Sequence, residues 1–171
     1  MAKAKYQFDD FLMTVPDGYK DFVSSVHELL LEAGYKPKLS VTKSTGFQLA
    51  YHQPKTKTTA GIVLIFFKRN ETLILRIYGT NHAQYPETLQ SLPQSLLGQI
   101  EDATDCVKFQ NPDKCWKGCI GHEFHIGERL YQKCMIDCFE FTVDTPDLPD
   151  LQRLITAESK ARLQNETKSI E

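Results

Sequence analysis

The sequence predicts an α+β fold: an antiparallel sheet of four or more strands, packed by helices, with a cysteine-bearing β-hairpin late in the chain. Apolar residues recur at three- and four-residue spacing from 19 to 33, as in an amphipathic helix. Residues 47–52, 62–67 and 73–78 have the alternating or continuous apolar patterns of strands. The connection 68–71 is short enough to join two of them as an antiparallel hairpin.

Each predicted element has its own start or stop signal. Gly34 is expected to end the first helix. The continuous apolar strand 62–67 is expected to be central in the sheet, because both of its faces need cover. A second helix is predicted from about 85 to 100, where Pro93 must start, kink or split it. The last helix is predicted from 148 to 163, with one face formed by Leu151, Leu154, Ile155 and Glu158.

Length and composition predict one globular domain. The 171 residues are 41% hydrophobic and 25% charged, with a net charge of −2, which excludes both a bulk polycation and a polyacidic tail. We expect a single domain over 1–171 with an N-terminal arm at 1–18, a cysteine-rich hairpin segment at 106–138 and a frayed tail at 164–171. Asp9 and Asp10, expected in a solvated loop, interrupt any signal peptide, and the longest apolar run is too short to cross a membrane. The expected location is therefore cytoplasmic.

The five cysteines lie close together in the sequence and predict a metal site. Two Cys-x3-Cys pairs, Cys115/Cys119 and Cys134/Cys138, can each converge on one ion if each spans a helical turn. Gly118 is expected to supply a positive φ beside Cys119. Four thiolates would hold a structural zinc ion with no open position for substrate, and the neighbouring lysines would offset its negative charge: Lys114, Lys117 and Lys133.

A predicted hairpin brings the two pairs together. Gly127-Glu128 suits a two-residue type II′ turn, so that Ile126 faces Arg129 and Cys134 lies opposite Gly121. Plain buried thiols, an iron–sulfur cluster and a redox disulfide remain alternatives to zinc. Cys106 is expected in the core or as a spare ligand. His122 and His125 are expected as exposed strand residues, although either could replace a sulfur.

A basic stretch without acids suggests an anionic partner. Residues 33–70 contain no acidic residue. Phe47, Tyr51 and His52 could add stacking to this surface, which would suit nucleic acid or an acidic protein. Solvated lysines that protect sheet edges would give the same pattern. The basic residues of the stretch are Lys36, Lys38, Lys43, Lys55, Lys57, Lys68 and Arg69.

No catalytic motif is recognisable in the sequence, so a non-enzymatic binding module stabilised by zinc is the favoured function. The alternatives are a thiol/disulfide redox protein and a small-molecule enzyme. The enzyme would use a polar pocket near His52, Arg76, Tyr78 and His82, with a histidine as base.

The segments CWKGCIGHEFHIGERLYQKCMIDCFEF and RIYGTNHAQY, together with the terminal helix, resemble an uncharacterised family of small bacterial proteins common in Gram-positive anaerobes. The resemblance covers about residues 8–162. It implies a bacterial cytosolic protein and brings no activity, substrate or residue role.

Overall fold

The computed structural model describes residues 7–42, 46–52, 60–67, 71–79 and 81–168. Its residues form two compact units, one of Met1–Ile77 with Thr142–Leu148 and the other of Tyr78–Phe141 with Pro149–Glu171. An antiparallel sheet packed by helices confirms the predicted α+β class. Within the described residues, no helix combines the length and the apolar character that a transmembrane span requires.

The first unit is a helix pair against an antiparallel sheet. Its elements are α1 (Phe8–Leu12), α2 (Asp17–Glu32), β1 (Lys36–Thr42), β2 (Gly46–His52), β3 (Ala60–Phe67) and β4 (Thr72–Ile77). The five-stranded sheet has the order β1-β2-β3-β4-β7, where β7 is Glu140–Thr142, so β3 is central as predicted. Beyond β7, the Val143 amide donates to the Leu73 carbonyl oxygen at 2.9 Å.

Helix α2 ends at the predicted glycine. Gly34 has φ 82°, its amide donates to Leu31 O at 2.9 Å, and the Tyr35 amide donates to Leu30 O at 2.8 Å. These two bonds form a Schellman motif, which satisfies carbonyl groups left free by the last turn. The stop signal predicted at Gly34 is therefore confirmed.

Two parts of the first unit differ from expectation. The N-terminal arm contains helix α1, whose Phe11 is fully buried, and Asp9 and Asp10 lie in its first turn instead of in a loop. At this end of the helix their negative carboxylates interact favourably with the positive end of the helix dipole. Strand β1 was not anticipated because it contains Pro37, which a strand tolerates at a sheet edge.

The second unit combines short helices with a hairpin. It contains α3 (Pro86–Gln90), α4 (Gln94–Asp102), α5 (Val107–Gln110), β5 (His122–Ile126), β6 (Arg129–Lys133) and nearly all of α6 (Leu148–Lys168). Pro93 splits the predicted helix 85–100 into α3 and α4. The predicted inward face of α6 is confirmed, with Leu151, Leu154, Ile155 and Glu158 all buried.

A buried carboxylate anchors α6 within this unit. Glu158 is 0% exposed and accepts hydrogen bonds from Tyr85 Oη at 2.5 Å, Asn81 Nδ2 at 3.2 Å and Arg162 Nε at 2.5 Å. Arg162 also donates to the Tyr78 carbonyl oxygen. A buried charge is tolerated only when it is paired and hydrogen-bonded in this way.

The same network extends the helix beyond its predicted end. Asn165 Nδ2 donates to Asn81 Oδ1 at 2.5 Å, and Gln84 Nε2 donates to Asn165 Oδ1 at 2.9 Å. Helix α6 therefore continues to Lys168, where a frayed tail from residue 164 was expected. Residues 169–171 of that tail lie outside the described residues.

Replacing Tyr85 with Phe tests the anchor. The substitution removes a donor to a buried carboxylate, so we expect the free energy of unfolding in urea to fall by about 1.5–3 kcal/mol. Tyr131→Phe is the matched control, because Tyr131 Oη donates at 3.1 Å to the half-buried Glu101. That change should cost less than about 1 kcal/mol. Equal losses in the two variants would contradict the role of Glu158 as an anchor.

Candidate metal centre

The β5–β6 hairpin has the predicted register. Ile126 pairs with Arg129 and His122 with Lys133, and Gly127 takes φ 60° at the first central position of the turn. These are the pairs and the positive φ that a type II′ turn at Gly127-Glu128 predicts. The register prediction is therefore confirmed, and Cys134 lies one residue beyond the end of the ladder.

A third segment pairs with the free edge of β6. Asp105 forms a bridge with Lys133, the Cys106 amide donates to Gln132 O at 2.9 Å, and the Cys134 amide donates to Thr104 O at 2.8 Å. Residues 104–106 thus line one side of β6 while β5 lines the other. Cysteines from separate parts of the sequence consequently lie at the open end of the hairpin.

The thiols of Cys115 and Cys119 lie close enough to interact. This contact raises the pKa of Cys115 above its ordinary value, and burial and the nearby Cys106 add to the effect. The turn between them is closed by the Cys119 amide, which donates to Trp116 O at 3.0 Å, and by Lys108 Nζ, which donates to Cys119 O. The first predicted pair is therefore a local thiol cluster with Cys106 beside it.

The glycine with positive φ is not the one expected. Gly118 does not have positive φ, whereas Gly121 has φ 68°. A Cβ atom at residue 121 would lie 2.8 Å from the Cys106 sulfur and 2.7 Å from the Phe109 ring. Gly121 therefore lets both side chains approach the backbone closely.

The second predicted pair spans one turn of chain. The Cys138 amide donates to Cys134 O at 3.1 Å. Cys138 is 2% exposed, and burial raises the pKa of its thiol well above the ordinary range. The Cys138 sulfur also lies close enough to Tyr85 to affect the pKa of that phenol.

All five cysteines are free of disulfide bonds. Within the part of the chain that is described, no group of three or more His, Cys, Asp or Glu side chains has the arrangement of a metal site. The electrostatic contacts group Cys115 with Cys119 and Cys106, and Cys138 with Cys134. Zinc bound by Cys115, Cys119, Cys134 and Cys138 stays a prediction.

The lysines expected to balance a thiolate cluster have different roles. Lys114 and Lys117 are exposed beside Cys115. Lys133 is buried instead, and its ammonium donates to Glu101 O at 2.7 Å, Ala103 O at 2.8 Å and Asp105 Oδ1 at 2.8 Å. Lys133 therefore holds the segment before Cys106 against β6.

The prediction that both hairpin histidines are exposed is wrong for one of them. His125 is exposed, but His122 is 3% exposed because it shares the inward face of β5 with Phe124. Its ring packs edge to face on His82, with the ring centroids 4.8 Å apart. Residues three apart on a strand lie on opposite faces, so the two histidines could not both be exposed.

His82 lies in this aromatic cluster beside a cavity. Burial lowers its pKa, its ring donates to the Glu123 backbone carbonyl, and its Nδ1 atom is buried with no hydrogen-bond partner among the described residues. A cavity of about 300 Å³ is lined by His82, Ala83, Pro86, Glu123, Phe124 and His125.

The polar pocket predicted from the sequence divides between the two units. His52 ends β2 and Arg76 lies on β4 in the first unit, while Tyr78 and His82 belong to the second. The pocket of four residues therefore stays a prediction. The cavity at His82 has Glu123 in its lining instead, which the sequence did not single out, and His125, which the sequence suggested only as a substitute zinc ligand.

Only part of the basic stretch is described. Lys36 and Lys38 are exposed on the edge strand β1. Tyr51 is 0% exposed, and its hydroxyl lies 2.9 Å from His27 Nδ1, so the expectation that it stacks on a ligand is wrong. The other basic residues of the stretch lie outside the described residues: Lys43, Lys55, Lys57, Lys68 and Arg69.

A basic cleft runs along α6 and was missed by the sequence analysis. Its cavity of about 550 Å³ has two cationic and no acidic lining residues: Thr88, Pro149, Gln152, Arg153, Thr156, Ala157 and Lys160. Arg153 is oriented by Asp150, at 2.6 Å, and by the Ser91 hydroxyl, at 3.2 Å. The i, i+3, i+7 spacing of Arg153, Thr156 and Lys160 is the signal that could have found it.

No family model, curated protein or solved structure matches this chain. The resemblance to a family of small bacterial proteins therefore stays a prediction.

The buried histidine pair predicts a stability that falls in mild acid. Burial, together with the adjacent His82, lowers the pKa of His122 to about 4 from an ordinary 6.5. Above pH 6.5 His122 is neutral in both states. Between pH 6.5 and 4 the unfolded chain binds the proton first, so the free energy of unfolding should fall by about 3 kcal/mol from His122 alone. Urea unfolding at pH 7.5, 6.5, 5.5 and 4.5 measures this loss.

A substitution isolates the contribution of His122. His122→Phe should reduce the loss of stability between pH 6.5 and 4.5, because Phe carries no titrating group and suits the aromatic surroundings. His125→Phe, on the exposed face, should leave the pH dependence unchanged. An identical pH dependence in all three proteins would contradict the shifted pKa of His122.

Proposed function

We propose that the protein is a non-enzymatic binding module in which one zinc ion holds the cysteine segment 106–138 and which binds an anionic partner. The observation that carries the zinc part is the hairpin register, which brings Cys134 and residues 104–106 together at the end of the hairpin where β5 begins, a few residues after Cys119. The predicted ligands Cys115 and Cys119 have thiols close to each other, and Cys138 lies one turn after Cys134.

The chemistry of these residues suits zinc. Thiolates bind zinc at about 2.3 Å, and a site of four thiolates leaves no position for water or substrate. Thiols this close to each other can bind one cation between them as thiolates, because the cation offsets the repulsion between their negative charges. A reducing cytoplasm, which we propose as the location, keeps such thiols available for metal.

Elemental analysis of protein purified without chelator tests the zinc ion. We expect about one zinc per chain and no thiol that reacts quickly with a thiol reagent under native conditions, because a four-thiolate site protects four thiols and the fifth is buried. Denaturation with a chelator should release the zinc and make all five thiols reactive. Zinc near zero, with the half-buried thiols of Cys115 and Cys134 reactive in the native protein, would contradict the proposal.

The α6 cleft supports the anionic partner. Arg153 and Lys160 lie two helical turns apart, so their charges can act together on one extended anion. The edge lysines Lys36 and Lys38 offer a second, more open surface, although lysines at a sheet edge also prevent aggregation. The cleft is the better candidate because Arg153 and Lys160 lie together in one depression, whose other polar lining side chains could also donate hydrogen bonds to an anion.

Anisotropy of a labelled single-stranded oligonucleotide tests the partner. The protein should bind with an affinity that falls steeply as salt rises, because bound lysines and arginines displace counterions. The double variant Arg153→Glu/Lys160→Glu should weaken binding at least about tenfold. Lys36→Glu/Lys38→Glu should have the smaller effect.

A control variant separates the cleft from total charge. Lys20→Glu/Arg129→Glu changes the net charge equally at two cations outside the cleft, which pair with Asp17 and with Glu101. It should retain most of the binding. No binding of wild-type protein at low salt, or equal losses in all three variants, would contradict a defined anion site.

One observation favours a second candidate function, a small-molecule enzyme. The cavity at His82 has an imidazole, a carboxylate and a second imidazole in its lining, from His82, Glu123 and His125. Burial lowers the pKa of His82, so that its neutral imidazole could act as a base in this cavity. Absence of oligonucleotide binding, together with binding of a small molecule that His82→Ala abolishes, would favour the enzyme over the module.

A thiol/disulfide redox function is less well supported. Its reactive species is a thiolate, which a lowered cysteine pKa favours. The contact with Cys119 raises the pKa of Cys115 instead. Two thiols that bind one cation together would lie in the same close contact.

A further inference from the structure

We propose that Trp116 is a stacking platform for an unpaired base, and that the basic turn around it binds single-stranded nucleic acid. This inference rests on the proposed binding of an anionic partner. It names the class of that partner and adds a point of contact outside the α6 cleft, and it does not depend on the zinc ion. It follows from the exposure of the indole ring, from the way the ring lies on the backbone, and from the charges beside it.

Trp116 is unusually exposed for its size. It is the single tryptophan of the chain, and 61% of it is exposed. Tryptophan is largely buried in most folded proteins. Four of the ten large apolar side chains that are exposed among the described residues lie in the segment 107–120: Val107, Phe109, Trp116 and Ile120. A single exposed apolar residue needs no explanation, whereas four in one short segment favour a contact surface.

One face of the indole ring is turned to the backbone of residue 118. A Cβ atom at Gly118 would be 2.8 Å from Cζ2 of Trp116, 3.0 Å from Cη2 and 3.1 Å from Cε2. Because these three neighbouring ring atoms are almost equally distant, the Cβ atom would meet the face of the ring and not its edge. The absence of a side chain at Gly118 leaves room for the ring. The chain thus supports one face of the indole, and the opposite face remains open.

An open ring face suits a nucleic-acid base. Every base has a flat π-face, so bases stack on an exposed aromatic ring in any sequence. In a duplex the neighbouring bases already cover these faces, so the partner should be single-stranded. Binding to a lipid surface depends instead on apolar side chains that enter the boundary of the acyl chains. Trp116 lies against its own backbone and presents a face, which favours the stacked base.

The charges beside the indole suit the phosphates of such a strand. Lys114 and Lys117 are both exposed, and the ion pairs among the described residues use other cations. Asp113 is the one acidic residue of the segment 107–120, against three lysines. The third lysine, Lys108, donates to the Cys119 carbonyl oxygen and so holds the turn. A positively charged surface with an exposed aromatic ring is the combination that binds single strands.

The fluorescence of the single tryptophan tests the contact directly. Titration of the full-length protein at low salt with an oligothymidylate of about ten nucleotides should quench the emission of Trp116, because a base stacks on the indole. The control is an abasic oligonucleotide of the same length, which has the same phosphates and no bases. It should leave the emission nearly unchanged and bind at least about fivefold more weakly. Equal quenching by both oligonucleotides would contradict stacking.

Substitutions of exposed apolar residues test the ring itself. Trp116→Ala should weaken the binding of labelled oligothymidylate, measured by anisotropy, at least about fivefold. Trp116→Phe should lie between wild type and Trp116→Ala, because it keeps a smaller ring face. Ile136→Ala is the matched control, because Ile136 is 62% exposed but is followed by an acidic residue, Asp137. Its affinity should stay within about twofold of wild type.

The double variant Lys114→Gln/Lys117→Gln tests the phosphate contacts. Loss of two such contacts should make the slope of log affinity against log salt shallower by about 1.4. Saturating oligothymidylate should still quench Trp116 in this variant, because the ring is unchanged. An unchanged slope would contradict the role of these lysines. Circular dichroism confirms folding of each variant, which the exposure of the substituted side chains favours.

The outcomes distinguish this inference from the proposed function. Equal affinity of oligothymidylate for wild type and Trp116→Ala would overturn the stacking platform and leave the anionic partner in place. A blue-shifted emission with vesicles of phosphatidylserine and phosphatidylcholine, without a response to oligothymidylate, would assign the surface to a membrane and overturn the inference. Wild-type protein that binds neither oligonucleotide at low salt would overturn the proposed anionic partner itself.

Discussion

The register of the β5–β6 hairpin is the constraint on which the candidate metal site depends. Gly127 takes the positive φ that a type II′ turn requires, which fixes Ile126 opposite Arg129. A shift by one residue would turn every side chain of the strand to the other face. His122 and Phe124 would then leave the aromatic cluster, and Cys134, next to Lys133, would turn to the other face of the hairpin. One tight turn therefore controls both the histidine pair and the position of the thiols.

Buried polar groups secure the elements around this hairpin. Lys133 joins β6 to the segment before Cys106 through two backbone carbonyls and Asp105. Glu158 joins α6 to residues 78–85 through Tyr85, Asn81 and Arg162. Each buried charge has several hydrogen-bond partners, and an unpaired one would cost far more than an apolar replacement. The hydrogen bonds of Lys133 and Glu158 therefore fix the positions of the segments that they join, while a buried ion pair adds little net stability over apolar residues of the same size.

The sequence predicted what depends on local pattern. The face of α2, the stop at Gly34, the central β3 and the hairpin register follow from residue spacing and turn chemistry, and all agree with the structure. The edge strand β1 and the burial of His122 depend on partners distant in sequence, and both were missed. The proximity of Cys106 to Gly121 is non-local in the same way, because it requires residues 104–106 to pair with β6. Spacing alone therefore favoured the paired cysteines and left Cys106 aside.

X-ray absorption at the zinc edge of the full-length protein, purified without chelator, tests the central claim most directly. A zinc ion held by the cysteine segment should have four sulfur neighbours at about 2.3 Å and no nitrogen or oxygen in its first shell. Adventitious zinc on surface histidines or carboxylates would instead have nitrogen and oxygen neighbours at about 2.0–2.2 Å. The first result would support a thiolate site at the open end of the hairpin, and the second, or an absence of zinc, would contradict it.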